Sequence, residues 1–346
     1  MTTPSQDITT PRKIADLRAL VPQRSRVLIL THDNPDPDAL ASAAALRFLL
    51  AEIAAAESVL AFGGIVGRAE NRALLRYLPV KAHSVDTLSL GDFDLVALVD
   101  TQPRTGNNSL PPDRLPTIVI DHHPMRRQTR KIPFQDIRKH YGATSTILTQ
   151  YIRALGTQPE ARLATALFYA IQSETQDLGR EVSEADVEAA LYLYPFTDRR
   201  LLSRIEYSRV PPEYFRALGR VLKSAVIHDG VVVSRLGELE YPDMVAEMAD
   251  LLLRLQDARW AVCLGRYGKD LYLSLRTSDG DANAGTLIRK AVGRIGAGGG
   301  HGMSAGGRIP IQDRGAKAVA RLEQGLIRRL LRGLKVSPGS GVRLVP

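Results

Sequence analysis

The chain has 346 residues, a formal net charge of +9, a single cysteine and an aromatic share of 5%. This length fits two domains of ordinary size, and a hydrophobic share of 44% excludes wholesale disorder. The lone Cys263 excludes an internal disulfide and a cysteine zinc cluster, and it indicates a reducing compartment.

Charge and hydropathy narrow the kind of partner. Apolar runs stay well short of the ~20 residues of a membrane helix, and the first residues are polar, which predicts a cytoplasmic protein with no membrane partner. From Thr286 to Pro346 there are twelve lysines and arginines against two acids, a net charge of +10, and the +9 of the whole chain therefore leaves −1 for residues 1–285. A basic end of this kind favours an anionic partner.

The first half of the chain alternates short apolar runs with helical patterns. Strands are predicted at 26–31, 59–62, 94–99 and 117–120, and helices at 38–56, 142–155 and 160–172. Strands separated by helices indicate a parallel sheet that is covered on both faces. The continuous apolar character of the strands is typical of burial on both sides.

The second half begins with a helical stretch over 183–223, in which Ser183 and Asp186 form a predicted capping box. Further strands are predicted at 231–235, 260–265 and 271–276, with a helix at 244–255, a glycine-rich loop at 296–307 and a final amphipathic helix ending near Leu334. The predicted class is α/β: an N-terminal parallel-sheet domain over 14–195, a helical connector over 196–225 and a smaller α/β domain over 226–334.

Metal-ligand side chains follow three of the predicted strands. They are His32, Asp36 and Asp38 after the first strand, Asp100 after the third, and Asp121, His122 and His123 after the fourth. The carboxyl ends of parallel strands meet at one edge of a sheet, so these side chains should converge there. Clustered carboxylates repel unless a cation neutralises them, and mixed Asp and His ligands suit manganese more than calcium. Several carboxylates in one place indicate two metal ions with one bridging carboxylate, and hydrolysis of a phosphate ester.

Ordinary structural roles are expected for the other polar residues of this kind. Asp33 and Asn34 lie in a segment of turn-forming residues, NPDPD and the aspartate before it, and we interpret them as turn formers. Isolated histidines are more often packing or surface residues than ligands, and we apply this interpretation to His83, His140 and His228.

Five motifs in order resemble the DHH phosphoesterase superfamily. They are HDNPDPDALAS, the VD at Asp100, DHHP, GATSTIL at 142–148 and SETQDLGR at 173–180. LSLRTS at 273–278 and GGGHGMSAGG at 298–307 resemble the DHH-associated C-terminal domain of that superfamily. The resemblance covers roughly residues 14–310 and is strongest to the nanoRNase and pAp-phosphatase branch.

The resemblance implies two divalent ions, most simply Mn²⁺. The first would be held by His32, Asp36 and Asp100, and the second by Asp38, Asp100 and His122, with Asp100 bridging. A further aspartate ligand of the family falls on Glu174 here, with Asp177 as the alternative. Asp121 would orient His122, and His123 would lie beside the scissile phosphate as a donor, which makes Asp100, His122 and His123 the predicted catalytic residues.

Substrate binding is expected in the C-terminal domain, with the active site in the cleft between the two domains. Glycines allow backbone N–H groups to approach an anion, and an arginine offers a bidentate fork for a phosphate. The predicted substrate-binding residues are Arg276, Gly298, Gly299, Gly300 and His301. Arg104 and Arg180 are equally consistent with phosphate contacts and with solvated surface charges.

The predicted function is hydrolysis of short oligonucleotides, or of 3′-phosphoadenosine 5′-phosphate, by a water activated between two metal ions. Two alternatives keep the enzyme class: a soluble cyclic-dinucleotide phosphodiesterase and a RecJ-like single-strand exonuclease. A third alternative is a nucleotide-binding protein with a decayed metal site, and Glu174 in place of the family's aspartate favours it. The expected partners are short nucleotides or oligonucleotides, and the sequence leaves the oligomeric state open, with a homodimer as one option.

Overall fold

The computed structural model describes residues 9–312, 314–339 and 341–346, with the backbone alone at His301. The chain divides into two compact units, one ending at Ser208 and the other beginning at Arg209. Each unit has its own hydrophobic core. Among the described helices, none is both long enough and apolar enough to cross a lipid bilayer.

The N-terminal unit is built around a parallel sheet. Its elements are α1 (Thr9–Leu20), β1 (Arg26–Leu30), α2 (Pro37–Ala54), β2 (Glu57–Phe62), α3 (Ala69–Tyr77), β3 (Ala82–Ser84), β4 (Leu95–Val99), β5 (Ile118–Asp121), β6 (Phe134–Ile137), α4 (Thr144–Ala154), α5 (Ala161–Glu174), α6 (Glu184–Leu193) and α7 (Arg199–Glu206). The strand order is β3-β2-β1-β4-β5-β6, and every neighbouring pair is parallel. The predicted α/β class and the parallel sheet are confirmed. Strands β3 and β6 were not predicted, because they are short and partly polar.

Both faces of this sheet are buried, which explains the uninterrupted apolar strands. In β1, Val27 and Ile29 pack into the core that α2, α4 and α5 cover, whereas Leu28 and Leu30 pack on the opposite face. Short irregular segments containing Val85, Phe93 and Ile132 cover that second face. Each β1 side chain therefore meets apolar neighbours, as a doubly covered parallel sheet requires.

The strand order reverses between β1 and β4. The chain moves outward from β1 through β2 and β3, and then returns to place β4 on the other side of β1. Loops that leave the carboxyl ends of β1 and β4 diverge at this point, and open α/β sheets bind their ligands in the resulting crevice. The segments that carry His32, Asp100 and His122 all leave the sheet at this edge.

The C-terminal unit contains a mixed sheet. Its elements are α8 (Pro212–Ser224), β7 (Val226–His228), β8 (Val231–Glu238), α9 (Met244–Leu252), β9 (Trp260–Tyr267), β10 (Asp270–Thr277), α10 (Ala284–Val292), β11 (Ala297–His301), β12 (Ser304–Pro310), α11 (Ala316–Gly333) and β13 (Val342–Arg343). The strand order is β11-β12-β10-β9-β8-β7-β13. β8 and β9 are parallel, and the other pairs are antiparallel.

The glycine-rich segment 296–307 is a β-hairpin, so its prediction as a loop was wrong. β11 and β12 pair antiparallel, with Gly298 opposite Gly307 and Gly299 opposite Gly306. Helix α10 lies so close to this hairpin that a Cβ on Gly285 would stand 2.0 Å from the carbonyl oxygen of Gly300. Glycines have a low strand propensity in sequence patterns. Here their lack of side chains permits the close packing of α10 against the hairpin.

Two glycine substitutions test this packing. Gly285→Ala should lower the free energy of unfolding by about 1–3 kcal/mol, because the new methyl group overlaps backbone atoms of Gly300. Gly325 lies in α11 with open space where a Cβ would be, so Gly325→Ala should raise that free energy by about 0.5–1 kcal/mol. Urea unfolding followed by circular dichroism measures both, and a Gly285→Ala midpoint equal to or above that of the parent would contradict the close contact.

Candidate metal centre

The turn after β1 directs His32 and Asp36 toward the strand-order reversal. Asn34 has a left-handed backbone with φ of 55°, and its Oδ1 accepts from the Ile65 amide at 3.0 Å. The hydroxyl of Ser109 donates to Asp33 Oδ1 at 2.7 Å. Asp33 and Asn34 thus have the structural turn roles that the sequence indicated.

One group of potential ligands consists of His32, Asp36 and Asp100. The Nε2 atom of His32 lies 3.4 Å from Asp36 Oδ2 and 3.5 Å from Asp100 Oδ2. Its Nδ1 lies 2.9 Å from the carbonyl oxygen of Asp33 and donates to it. Burial lowers the pKa of His32, but Asp36 and Asp100 raise it well above its usual value, so in the metal-free protein Nε2 also carries a proton toward the carboxylates, which a metal ion would replace. The ligand atoms of the three residues lie within 4.8 Å of one another, as a shared metal ion requires.

His122 faces the other oxygen of Asp100. Its Nε2 lies 3.6 Å from Asp100 Oδ1, and its Nδ1 lies 3.0 Å from the carbonyl oxygen of Tyr141. That carbonyl fixes the tautomer in the same sense as in His32. Asp100 therefore has one oxygen toward each histidine, which is the arrangement that the predicted bridging role needs.

The N-terminus of α4 holds two buried carboxylates, Asp38 and Asp100. The Thr144 amide donates to Asp38 Oδ2 at 2.7 Å, and the Ser145 amide donates to Asp38 Oδ1 at 2.8 Å. The Thr144 hydroxyl donates to Asp100 Oδ1 at 2.8 Å. Sequence reasoning singled out the GATSTIL segment but gave Thr144 and Ser145 no role; the structure shows that they orient Asp38 and Asp100.

The pKa values of the carboxylates in the cluster show whether these residues fit metal ions. Burial and the neighbouring charge of Asp100 raise the pKa of Asp38 to about 8. Burial and the charge of Asp36 likewise raise the pKa of Glu174. Carboxylates whose ionised form is this unfavourable require a proton or a cation, and carboxylate oxygens with imidazole nitrogens suit Mn²⁺. The donor set therefore fits divalent ions.

Glu174, rather than Asp177, belongs to this cluster. The pKa of Glu174 responds to the charges of Asp36, His122 and Asp100. Asp177 follows in a left-handed turn with φ of 58°, is exposed, and accepts from Gln172 Nε2 at 2.6 Å. The last turn of α5 thus brings the glutamate to the position at which the sequence predicted a ligand, and the alternative ligand lies away from it.

Asp121 orients His123, and the prediction that it orients His122 was wrong. Asp121 Oδ1 lies 2.8 Å from His123 Nδ1 and accepts from the His123 amide at 3.1 Å. The chain bends at His122 and His123, so Asp121 Oδ1 accepts from the amide and the ring of the residue two positions on, while His122 Nδ1 lies by the Tyr141 carbonyl.

Asp121, which is buried, and His123, whose side chain is 38% exposed, form an ion pair. Burial by itself would lower the pKa of His123, but the charge of Asp121 and the hydrogen bond between them raise it to about 10. Burial would raise the pKa of Asp121, and His123 lowers it to about 2. His123 is therefore a charged donor at neutral pH, 3.7 Å from Asp100 Oδ1.

Gln102 connects the loops after β4 and β5, and sequence reasoning missed it. Its side chain is buried, and Nε2 donates to Asp121 Oδ2 at 2.6 Å. Its Oε1 accepts from the Arg126 amide and from the Thr129 hydroxyl, each at 2.7 Å. The only sequence signal is its place two residues after Asp100, because a glutamine carries no motif of its own.

The predicted substrate-binding residues lie in the C-terminal unit. Gly298, Gly299 and Gly300 belong to β11, and the side chain of His301 lies outside the described residues. Arg276 donates from Nε to Asp250 at 2.8 Å and from Nη1 to Ser274 at 3.0 Å. A half-buried guanidinium needs such a counter-charge, so the structure does not present the free phosphate fork that the sequence predicted.

The two other arginines differ. Arg104 is exposed and donates to the carbonyl of Pro112 at 2.9 Å. Arg180 has buried Nε and Nη1 atoms without a hydrogen-bond partner among the described residues. Arg180 therefore has buried donors that an anion could satisfy, whereas Arg104 is an exposed side chain with one bond to the backbone.

Comparison with known proteins shows the family of this chain. Residues 26–171 match the DHH family, N-terminal domain, and residues 228–327 match the DHHA1 domain. These two matches confirm the resemblance: the chain belongs to the DHH phosphoesterase superfamily and carries its C-terminal DHH-associated domain.

Individual relatives extend the comparison. An uncharacterized protein of Methanocaldococcus jannaschii is 37% identical over 292 residues, which is 84% of this chain and 59% of that protein. A probable manganese-dependent inorganic pyrophosphatase of Enterococcus faecalis is 26% identical over 151 residues, 44% of this chain and 48% of that protein. The chain thus spans about half to three fifths of these relatives. The crystal structure of an exopolyphosphatase-related protein from Bacteroides fragilis covers 96% of this chain and 100% of its own, with a TM-score of 0.74 at 16% identity, and so shares the fold.

Stabilisation by Mn²⁺ should grow with pH. In the metal-free protein the folded pKa of Asp38, about 8, lies above its ordinary value of 3.8, so the folded state keeps a proton that the unfolded chain releases. Stability from this group is therefore lost as pH rises toward 8, and Mn²⁺, which replaces the proton, binds up to about tenfold more tightly per pH unit over that range. The rise in melting temperature on adding Mn²⁺ should be larger at about pH 8 than at about pH 6. Asp38→Asn should reduce this difference, and the remainder belongs to His32 and His122, whose pKa values are also raised and which must lose protons to bind Mn²⁺. A rise that is independent of pH in the parent protein would contradict the prediction.

Proposed function

We propose that this protein is a manganese-dependent hydrolase of phosphate esters whose substrates are short oligonucleotides and 3′-phosphoadenosine 5′-phosphate. The observation that carries the proposal is Asp100, which has one oxygen 3.5 Å from His32 and the other 3.6 Å from His122. Membership of the DHH phosphoesterase superfamily supports chemistry at phosphorus. The similarity to a probable manganese-dependent pyrophosphatase supports the choice of metal.

The chain's side chains divide between two metal positions. His32, Asp36 and Asp100 would hold one ion, and Asp38, Asp100 and His122 the other, with Glu174 as a further ligand. When bound, the two ions supply positive charge for the phosphoryl oxygens and lower the pKa of a water between them. Thr144 keeps the shared carboxylate of Asp100 in its bridging orientation.

His123 is the proposed donor to substrate. Asp121 takes its Nδ1–H, so contact with substrate uses Nε2–H. In the metal-free protein the ion pair raises the pKa of the imidazole to about 10, so it is charged at neutral pH. A charged donor beside the centre stabilises negative charge that develops on a phosphoryl or leaving oxygen. Gln102 stabilises this pair, because its Nε2 donates to Asp121 Oδ2.

The C-terminal unit supports a nucleotide substrate. β11 is an edge strand of its sheet, so no neighbouring strand forms hydrogen bonds to the outer row of its backbone N–H and C=O groups. Gly298, Gly299 and Gly300 carry no side chains that would keep a ligand from this backbone. The net charge of +10 over residues 286–346 favours an anionic ligand.

Asp100→Asn should reduce hydrolysis by at least about a thousandfold, because the shared ligand loses its charge while Thr144 keeps a hydrogen-bond acceptor. The measurement is a Mn²⁺-supplemented panel of a dinucleotide, cyclic di-AMP, 3′-phosphoadenosine 5′-phosphate and a long single strand. The exposed Asp113 provides the control variant Asp113→Asn, which should retain the activity of the parent protein. Preference for cyclic di-AMP or for the long strand would favour the cyclic-dinucleotide or RecJ-like alternative, and undiminished turnover by Asp100→Asn would refute the proposed centre.

Glu174 decides between an active and a decayed centre. Glu174→Gln should weaken Mn²⁺ binding by about 10–100-fold, because one ligand charge is lost from the cluster. Asp177→Asn is the matched control, since Asp177 is exposed and bonded to Gln172, and it should leave Mn²⁺ affinity unchanged. Isothermal titration with Mn²⁺ measures both variants. Equal affinities for Glu174→Gln and the parent protein would remove Glu174 from the ligand set, and a parent protein that binds no Mn²⁺ would favour the decayed-site alternative.

A further inference from the structure

We propose that residues 124–131, here called the cationic arm, bind successive phosphate groups of a chain substrate beyond the phosphate at the metal centre. The inference rests on the proposed function for the position of the scissile phosphate. The arm follows directly after His123 in the loop between β5 and β6. It is thus covalently adjacent to the centre and belongs to the same unit.

The charge of the arm is uncompensated along the chain. Its four cations, Arg126, Arg127, Arg130 and Lys131, are all exposed, and no acid occurs between 124 and 131. The nearest acid in sequence after the arm, Asp136, is buried and forms an ion pair with Arg138 at 2.8 Å. Lys139, just after β6, adds a further exposed cation. Four clustered charges without a partner acid create a positive potential that attracts anions.

Two adjoining depressions lie in the surface around the arm. One depression of about 590 Å³ is lined by Met125, Arg127, Arg130 and Lys131. A second, of about 370 Å³, shares Met125 and is lined further by Ile137, Arg138, Lys139, His140 and Tyr141. The carbonyl of Tyr141 contacts His122 Nδ1, so the second depression reaches a residue that orients a candidate ligand. The two depressions therefore form cationic surface on both sides of Met125, next to the centre.

The arm is fixed in place from inside the protein. Gln102 accepts from the Arg126 amide and the Thr129 hydroxyl, while its Nε2 donates to Asp121. Thr129 is fully buried, although its neighbours Arg127 and Arg130 are exposed. One buried amide thus connects the arm to the ion pair of His123 and Asp121. A loop ordered in this way loses less conformational entropy when it binds a ligand, which favours a binding role over a merely solvated charge run.

The chemistry of the arm favours phosphates over bases. Guanidinium and ammonium groups bind phosphate oxygens through charge-assisted hydrogen bonds. Base recognition in single strands depends on stacking against aromatic rings. The arm contains no aromatic residue, the next one along the chain, Phe134, is buried, and Tyr141 is engaged with Arg138 and Gln150. The ligand is therefore a run of phosphates, which either an oligonucleotide backbone or inorganic polyphosphate supplies.

Neutralising the arm tests the inference. The variant Arg127→Gln/Arg130→Gln/Lys131→Gln changes three exposed side chains, so folding should be unaffected. Its control, Arg18→Gln/Arg76→Gln/Lys81→Gln, removes three exposed cations that precede the amino ends of β1 and β3, at the opposite edge of the sheet. The substrates are bis(p-nitrophenyl) phosphate, which has one phosphate, and an oligonucleotide and a polyphosphate with equal numbers of phosphates.

In the arm variant, the ratio of kcat/KM for the chain substrate to that for the single-phosphate diester should fall roughly tenfold, mainly through KM. The slope of log KM against log salt should decrease by about 2, because three phosphate contacts are lost. The control variant should retain the ratio of the parent protein. A fall for the oligonucleotide alone identifies the nucleic acid backbone as the ligand, and a fall for polyphosphate alone identifies the inorganic chain. An unchanged ratio for both chains would overturn the inference.

Binding measurements separate this inference from the proposed function. Fluorescence anisotropy with labelled oligonucleotide, and titration calorimetry with polyphosphate, use the full chain without Mn²⁺ at low salt. Weaker binding by the arm variant, in a protein that hydrolyses none of the substrates, would retain the arm as a phosphate-binding surface and refute the hydrolase. Hydrolysis by the parent protein, with equal chain binding by parent and arm variant, would retain the hydrolase and refute the arm.

Discussion

Repulsion among clustered carboxylates is the constraint on which the N-terminal unit depends. Asp36, Asp38, Asp100 and Glu174 converge at one edge of the sheet, and burial together with mutual charge raises the pKa of Asp38 to about 8. Such a cluster costs folding free energy unless protons or cations neutralise it. The folded cluster therefore has an affinity for divalent cations. The hydrogen bonds around the cluster serve mainly to keep the acids together.

Regular secondary structure supplies those hydrogen bonds. Asp36 caps α2 by accepting from the Ala39 amide at 2.9 Å, and Asp38 accepts two amides at the start of α4. Helix N-termini favour negative charge, so both helices offset part of the repulsion. Asp100 has a left-handed backbone with φ of 58°, which is unfavourable for an aspartate by about 1–3 kcal/mol and is consistent with a functional position. Its amide donates to the Ile120 carbonyl, which keeps the ends of β4 and β5 together.

Positive charge occurs in two separate places with different expected tasks. Residues 286–346 carry a net charge of +10 and a glycine-rich edge strand, β11, suited to backbone contact with a ligand. The cationic arm lies beside the metal centre and presents guanidinium and ammonium groups without aromatic rings. The arm is therefore suited to phosphate groups, and β11 is suited to contact through its backbone.

The sequence by itself determined the α/β class, the parallel sheet and the residues that follow β1, β4 and β5, because apolar strands and polar strand ends are local patterns. It could not determine the partner of Asp121, the hairpin at 296–307 or the role of Gln102. These depend on which side chains face each other across loops, and on a helix that approaches a strand without side chains. Asp121 and His123 are two residues apart, and their pairing depends on how the chain bends between them. Gln102 lies 19 residues before Asp121, and contacts between segments distant in sequence leave no local pattern, so only the tertiary structure decided that this buried glutamine fixes the loop beyond the pair.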